Sequence, residues 1–259
     1  MRRQPEHAEL VRQCYFDDPL LEAARRFHHS GEWLATREFI PASPGKAVDL
    51  GAGRGIASYA LASDGWRVTA IEPDPSAVVG TGAIEGMAAE ARLEIRIMRS
   101  GGESIPLPDA SVDMVYCRQA LHHAADLAAT CKEVHRILKV GGRFLAVREH
   151  VLSNEQDLEA FRRLHPMHHL YGGETAYTLA RYLDAMKDAG LRVIRVMNPL
   201  ESEINLSPQS QNEIKYGWAQ RLGLRSGRWI PDWVLTVRGR WMSMPGRLYS
   251  FVAIKPLYA

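Results

Sequence analysis

The sequence predicts a doubly wound α/β fold, and three observations carry that prediction. From Lys46 onward, short β-rich apolar runs ("KAVDL", "WRVTAIE", "LEIRIMR", "VDMVYC", "RFLAVREH") alternate with segments of helical spacing, the pattern of βαβ units on a mainly parallel sheet. A glycine follows three of the helical segments: Gly65 after "IASYALASD", Gly141 after "LAATCKEVHRILKV" and Gly190 after "LARYLDAMKDA". Each stands where a left-handed helix C-terminus needs one. The chain has 259 residues, 46% hydrophobic and 24% charged, enough to bury a full core in one domain with elaborations.

The elements follow in order. Residues 1–45 read as an N-terminal helical extension, with "PLLEAARRFHHSGEWLATREFI" helical and stopped by Pro41 and "PASPG". Residues 46–199 form the α/β core; within it Leu127, Cys131, Val134 and Leu138 share one helix face, with Asp126 placed to cap the helix start. Over 200–246 the alternation stops and Trp218, Trp229, Trp233 and Trp241 appear. There Ile214, Trp218 and Leu222 recur at helical spacing, and Pro231 marks the start of a second helix carrying Trp233, Val234, Val237 and Trp241. This helical insertion is either two amphipathic helices packed on the core or a lid over a substrate. Its Arg221, Arg225, Arg228, Arg238 and Arg240 form a solvated face, or one that holds an acidic substrate or a membrane surface. Residues 247–259 supply the final core strand, within "GRLYSFVAIKP".

Composition narrows the function classes. A net charge of +2 is too small to advertise a nucleic-acid partner. The start, "MRRQPEHAELVRQ", has no apolar stretch behind it and no run approaches bilayer-spanning length, so a cytoplasmic protein is expected. Cys14, Cys117 and Cys131 include no C-x-x-C pair, which argues against a disulfide framework or a cysteine zinc site.

The segment "AVDLGAGRGIASYAL" carries the chemistry, with Gly51, Gly53 and Gly55 at alternate positions after an apolar run. A dinucleotide fingerprint needs its third glycine one residue later, and no Gly-Lys-Ser/Thr follows to make a P-loop. The D-x-G-x-G-x-G spelling, with Glu72 ending the next strand and "SGGESIPLPDASVDMVYCRQALHHAADLAATCKEVHRILKVGGRFLAV" as a middle block, resembles the class I S-adenosylmethionine-dependent methyltransferases over roughly Lys46 to Glu149. The resemblance implies a Rossmann-like seven-stranded sheet with an antiparallel last strand, S-adenosyl-L-methionine as cofactor, and methyl transfer by direct displacement, which we expect to go to a small-molecule acceptor. It places Asp49 near the cofactor ammonium, Gly51, Ala52 and Gly53 in the close-approach turn, and Glu72, with Pro73 beside it, at the ribose hydroxyls. Where many members have Gly-Asp-Ala to hold the adenine, this chain has Ser100-Gly101-Gly102-Glu103, which moves the adenine contact to Glu103 or to the backbone of Ser104 and Ile105. Gln119 flanks the methionine end. Beside these roles stand plainer ones: Asp49 as a helix cap, and Glu72-Pro73-Asp74 as an ordinary turn.

His122 and His123 follow the fourth strand and His150 the fifth. All three are candidate general bases for an acceptor that is a hydroxyl or a protonated amine, with packing or surface roles as the alternative. The "HPMHH" stretch adds His165, His168 and His169, but no carboxylate completes a ligand set and transfer from a sulfonium needs no metal, so none is expected. Tyr15, Phe16 and Trp33, together with the tryptophans of the insertion, are expected to close an aromatic acceptor pocket over the carboxyl edge of the sheet. No nucleic acid is expected as partner, and a homo-oligomer is compatible with the sequence. The alternatives are a non-catalytic module that binds the cofactor or its demethylated product, S-adenosylhomocysteine, and a nicotinamide-dependent oxidoreductase.

Overall fold

The computed structural model describes residues 18–164 and 175–257. Helices α1 (Leu20–His28) and α2 (Gly31–Arg37) precede the core. The core runs β1 (Lys46–Leu50), α3 (Ile56–Ser63), β2 (Arg67–Ile71), α4 (Thr81–Ala91), β3 (Ile95–Met98), β4 (Val112–Arg118), α5 (Leu127–Ile137), β5 (Leu138–Leu152), α6 (Asp157–Leu164), β6 (Tyr177–Thr178), α7 (Leu179–Asp188) and β7 (Arg192–Met197). Then come α8 (Glu203–Leu206), α9 (Gln211–Arg221), a single 3₁₀ turn at Gly227–Trp229, α10 (Asp232–Arg240) and β8 (Arg247–Ile254).

The strands form one sheet in the order β3-β2-β1-β4-β5-β8-β7, with the two-residue β6 added alongside β5. All pairs are parallel except those of β8, which runs antiparallel between β5 and β7. The expected Rossmann-like α/β sheet with its antiparallel last strand is therefore present, with β6 as an eighth strand. Successive residues of β4 serve opposite faces. Met114 and Tyr116 pack with Phe27, Trp33 and Leu61 under α1 to α3, while Val115 and Cys117 pack with Leu127, Val134 and Met186 under α5 and α7. Both faces are covered, which is why the central strands read as continuous apolar runs. Strand order reverses between β1 and β4, and an open α/β sheet holds its ligand in the crevice at that reversal, outside the carboxyl ends of the strands.

Several local expectations shift. Gly65 and Gly190 adopt the left-handed conformation just after α3 and α7 as expected (φ 89° and 85°), and the Asp126 carboxylate accepts the Ala129 amide at 2.9 Å. Gly141 does not cap a helix. Leu138 already pairs with Val112 in the sheet, and the Gly141 amide donates to the Lys255 carbonyl at 2.8 Å, so sheet pairing ends α5 at Ile137. The N-terminal helix is two helices, broken at Ser30, whose hydroxyl accepts the Trp33 amide at 3.2 Å.

In the insertion both helices form. Ile214 and Trp218 of α9 are half-buried and Leu222 is exposed, whereas α10 buries Leu235 and Gly239 rather than its tryptophans. Gly239 decides this. A Cβ there would sit 2.0 Å from Asn198 Oδ1, and the Asn198 amide donates to the Thr236 carbonyl at 3.0 Å, so that side of α10 docks against the loop after β7.

Candidate active site

The turn leaving β1 is built by its glycines. The amides of Gly51 and Ala52 both donate to the Ile71 carbonyl, at 2.9 and 3.1 Å, which bends the chain sharply into α3. Gly51 sits at φ 69°, and a Cβ there would lie 2.4 Å from the Ala120 side chain. Only glycine tolerates both constraints. Glu72, at the end of β2, leans over this turn: one carboxylate oxygen accepts the Gly53 amide at 2.8 Å and the other the Asp74 amide at 3.0 Å. Burial pushes its carboxyl up from the usual range, and those two amides act in the opposite direction. Asp49 is buried at the end of β1 and accepts the Ser58 hydroxyl at 2.6 Å. Burial pushes its carboxyl up to about 6 against the pull of Ser58 and Arg118.

These groups line one cleft of about 1080 Å³ at the carboxyl edge of the sheet. Asp49, Gly51, Ala52, Gly53, Glu72 and Pro73 lie along one part of it, and Glu103, Gln119, His122, His123 and His150 contribute elsewhere. Ser104 and Ile105 are not among its lining residues. The Ile105 side chain is core and its amide donates to Glu133 at 2.8 Å, so that amide is already engaged. Glu103 reaches the cleft while its carboxylate accepts the amides of Ala125 and Asp126 at 2.8 and 3.3 Å.

The expected aromatic pocket is not formed by the tryptophans. Trp33 is fully buried against Phe27 and Tyr116, Trp229, Trp233 and Trp241 face outward, and the insertion reaches the cleft only through Ser207 and Pro208. Tyr15, Phe16, His165, His168 and His169 lie outside the described residues.

At the ends of β4 and β5 the histidines do gather. His122 Nδ1 lies 2.6 Å from Glu149 Oε2, and the His122 ring lies 4.1 Å from that of His123 and 4.8 Å from that of His150. Glu149, fully buried in β5, also accepts the amides of Ala120, Leu121 and His122 at 3.0–3.2 Å. Burial pushes its carboxyl up, but the bonds from His122 and the amides outweigh it and hold it below the usual range. His150 Nδ1 is held by the Gly246 carbonyl at 2.7 Å, and His123 is exposed.

Residues 48–146 match the methyltransferase-domain family. YcgJ of Bacillus subtilis (strain 168), an uncharacterized methyltransferase, is 32% identical over 117 residues, 45% of each chain. Dimethylglycine N-methyltransferase of Parasynechococcus marenigrum is 37% identical over 103 residues, 39% of this chain and 36% of that one. Over residues 48–146 this chain carries a methyltransferase domain. Solved structures agree on the fold: YcgJ superposes with a TM-score of 0.60 at 21% identity, covering 88% of this chain and 99% of that one. Geranyl diphosphate C-methyltransferase of Streptomyces coelicolor A3(2), solved with Mg2+, geranyl diphosphate and S-adenosyl-L-homocysteine, superposes with a TM-score of 0.64 at 16% identity, covering 94% and 87%. The chain spans less than half the length of the curated relatives it matches.

The cleft also holds residues that spacing did not reveal. Glu32 of α2, buried, takes the Arg118 guanidinium through both its oxygens at 2.5 and 3.0 Å and has Arg148 at 3.6 Å. That network ties the N-terminal helices to the mouth of the cleft, and no sequence signal pairs residues so far apart. Thr130 of α5 lines the cleft beside Gly102 with a buried hydroxyl that has no partner among the described residues. Glu149 stands between Arg148 and His150 at the polar end of a strand run, and nothing in that pattern marks it as buried.

The residues fit the cofactor the family uses. An orphaned buried hydroxyl and a turn that only glycine can make lie in the same cleft as two carboxylates, suited to an ammonium and a vicinal diol.

Proposed function

We propose that the protein transfers a methyl group from S-adenosyl-L-methionine to a small-molecule acceptor by direct displacement, in the cytoplasm. The observation that carries this reading is the placement of Asp49 and Glu72 on either side of a glycine turn at the point where strand order reverses. When bound, the cofactor supplies a methyl group already activated on a sulfonium. The chain's own part is then chiefly binding and positioning. Asp49 meets the ammonium. Glu72 keeps lone pairs beyond the two amides it accepts, enough for the ribose hydroxyls. Thr130 and Glu103 line the same cleft and offer it further polar groups.

Removal of an acceptor proton falls to His122 rather than to His123 or His150. Its Nδ1–H donates to Glu149, which fixes the tautomer and leaves Nε2 as the basic nitrogen. Glu149 is a positioning residue that also stabilises the imidazolium formed when the proton arrives. The small-molecule reading is supported by the names of the relatives, which include ubiquinone/menaquinone biosynthesis C-methyltransferase UbiE of Rubrivivax gelatinosus, 32% identical over 100 residues, 39% of this chain and 38% of that one.

The test is turnover with methyl-labelled cofactor across amine, hydroxyl and carbon acceptors. A labelled product with S-adenosylhomocysteine released in equal amount is expected. A protein that binds the cofactor yet labels no acceptor is the non-catalytic module instead.

A further inference from the structure

Along α10 and its C-cap, Trp233, Val237 and Trp241 recur at i, i+4 and i+8 on the side opposite Leu235 and Gly239. That side is not buried: Trp233 is 65% exposed and Trp241 80%, and Trp229 of the preceding 3₁₀ turn is 77% exposed, with Leu222 and Met244 also exposed nearby in the chain. The helix thus docks through its small side and shows its aromatic side outward, the reverse of a helix whose apolar stripe belongs to its own core. Arg238 and Arg240 flank the stripe, and Arg225 and Arg228 stand just before it. Over 211–246 there are six lysines and arginines but two carboxylates, while the whole chain carries only +2. Both carboxylates are engaged internally, Glu213 in the cap of α9 and Asp232 on Lys215.

From this geometry we propose that the outer face of α10, with Trp229, seats on the surface of an anionic lipid bilayer. Tryptophan beside arginine suits the boundary between headgroups and acyl chains, where the ring is half-wet and the cation meets lipid phosphate. A second copy of the chain is a poorer occupant, because a two-fold contact through this face would set arginines against arginines. Among the described residues no helix is long and apolar enough to cross a membrane, so the attachment is peripheral and reversible. The patch lies apart from the residues lining the cleft, and the proposal stands whether or not the methyl-transfer reading does.

The experiment is flotation of the full chain with vesicles of phosphatidylcholine alone and of equal parts phosphatidylcholine and phosphatidylglycerol. The parent is expected to float only with the phosphatidylglycerol vesicles and to be released by salt. The double variants Trp233→Ser/Trp241→Ser and Arg238→Gln/Arg240→Gln should each bind roughly tenfold or more weakly. Unchanged thermal unfolding and unchanged S-adenosylhomocysteine titration show that both variants remain folded. Failure of the parent to float, equal flotation with phosphatidylcholine alone, or a tryptophan variant that floats like the parent overturns the proposal. So does a dimer that the tryptophan variant dissociates, which gives the face to a second copy.

Discussion

His122→Ala lowers kcat by about 10²- to 10⁴-fold for an acceptor that must lose a proton, with cofactor affinity unchanged. The effect is expected to be large because the proposed base is held ready: His122 is buried, its Nδ1 2.6 Å from a carboxylate that three backbone amides keep in place. Glu149→Gln tests the same arrangement from behind. A carboxamide turns an N–H₂ toward donors that need an acceptor, so stability should fall by about 1–3 kcal/mol, the cost of leaving a buried donor unsatisfied. In whatever protein folds, kcat should fall while S-adenosylhomocysteine affinity holds, because the imidazolium formed during turnover loses its counter-charge. A structural role alone would not separate turnover from binding in that way. Steady-state kinetics and titration beside thermal unfolding decide the matter, and full activity in His122→Ala would return His122 to a packing role.

Glu72→Ala weakens S-adenosylhomocysteine binding by roughly 10- to 100-fold, the worth of charge-assisted bonds to ribose hydroxyls at about 1.5–3 kcal/mol. It also costs apo stability, because the amides of Gly53 and Asp74 lose their acceptor. On the proposed reading, turn stabilisation and ribose recognition reside in one carboxylate and are not rivals. The affinity loss, measured by titration well below the variant's unfolding temperature, isolates the second role.

Asp49 gives this site its pH dependence. Its folded pKa of about 6 lies above the unfolded value near 3.9, so the native state is favoured by the protonated form. That stability is fully present below the unfolded value and is lost as pH rises through about 6, a cost on the order of 3 kcal/mol at neutral pH. On the proposed reading, the ligand ammonium needs the ionised form. Binding of S-adenosylhomocysteine should therefore weaken as pH falls through about 6. Asp49→Asn should raise the unfolding temperature of the apo protein at neutral pH while weakening binding and flattening that pH dependence. An unchanged titration at every pH would remove Asp49 from the ligand.

Much of this was legible because it is local. The glycine spacing that excluded a dinucleotide loop is a backbone constraint, visible at Gly51 through its φ and its approach to Ala120. Asp49 and Glu72 end neighbouring parallel strands, so alternation alone carried them to one edge. Contacts between distant segments were not legible. Glu32 meets Arg118 across 86 residues, Glu149 meets His122 across 27, and neither pair leaves a periodic trace. Gly141 misled because a glycine after an apolar helix reads as a cap, whereas pairing of the chain with Lys255 overrode the local signal. The tryptophans misled for a related reason: spacing identifies a stripe but not the side on which the core lies, and the contact of Gly239 with Asn198 chose the opposite side.

The central claim, that the cleft outside β1 and β4 is built for the adenosyl-methionine skeleton, is tested most directly by calorimetric titration of the purified parent with S-adenosylhomocysteine and with NAD. The account predicts one-to-one binding of S-adenosylhomocysteine and no heat above dilution for NAD. Tight NAD binding with no response to S-adenosylhomocysteine would contradict it.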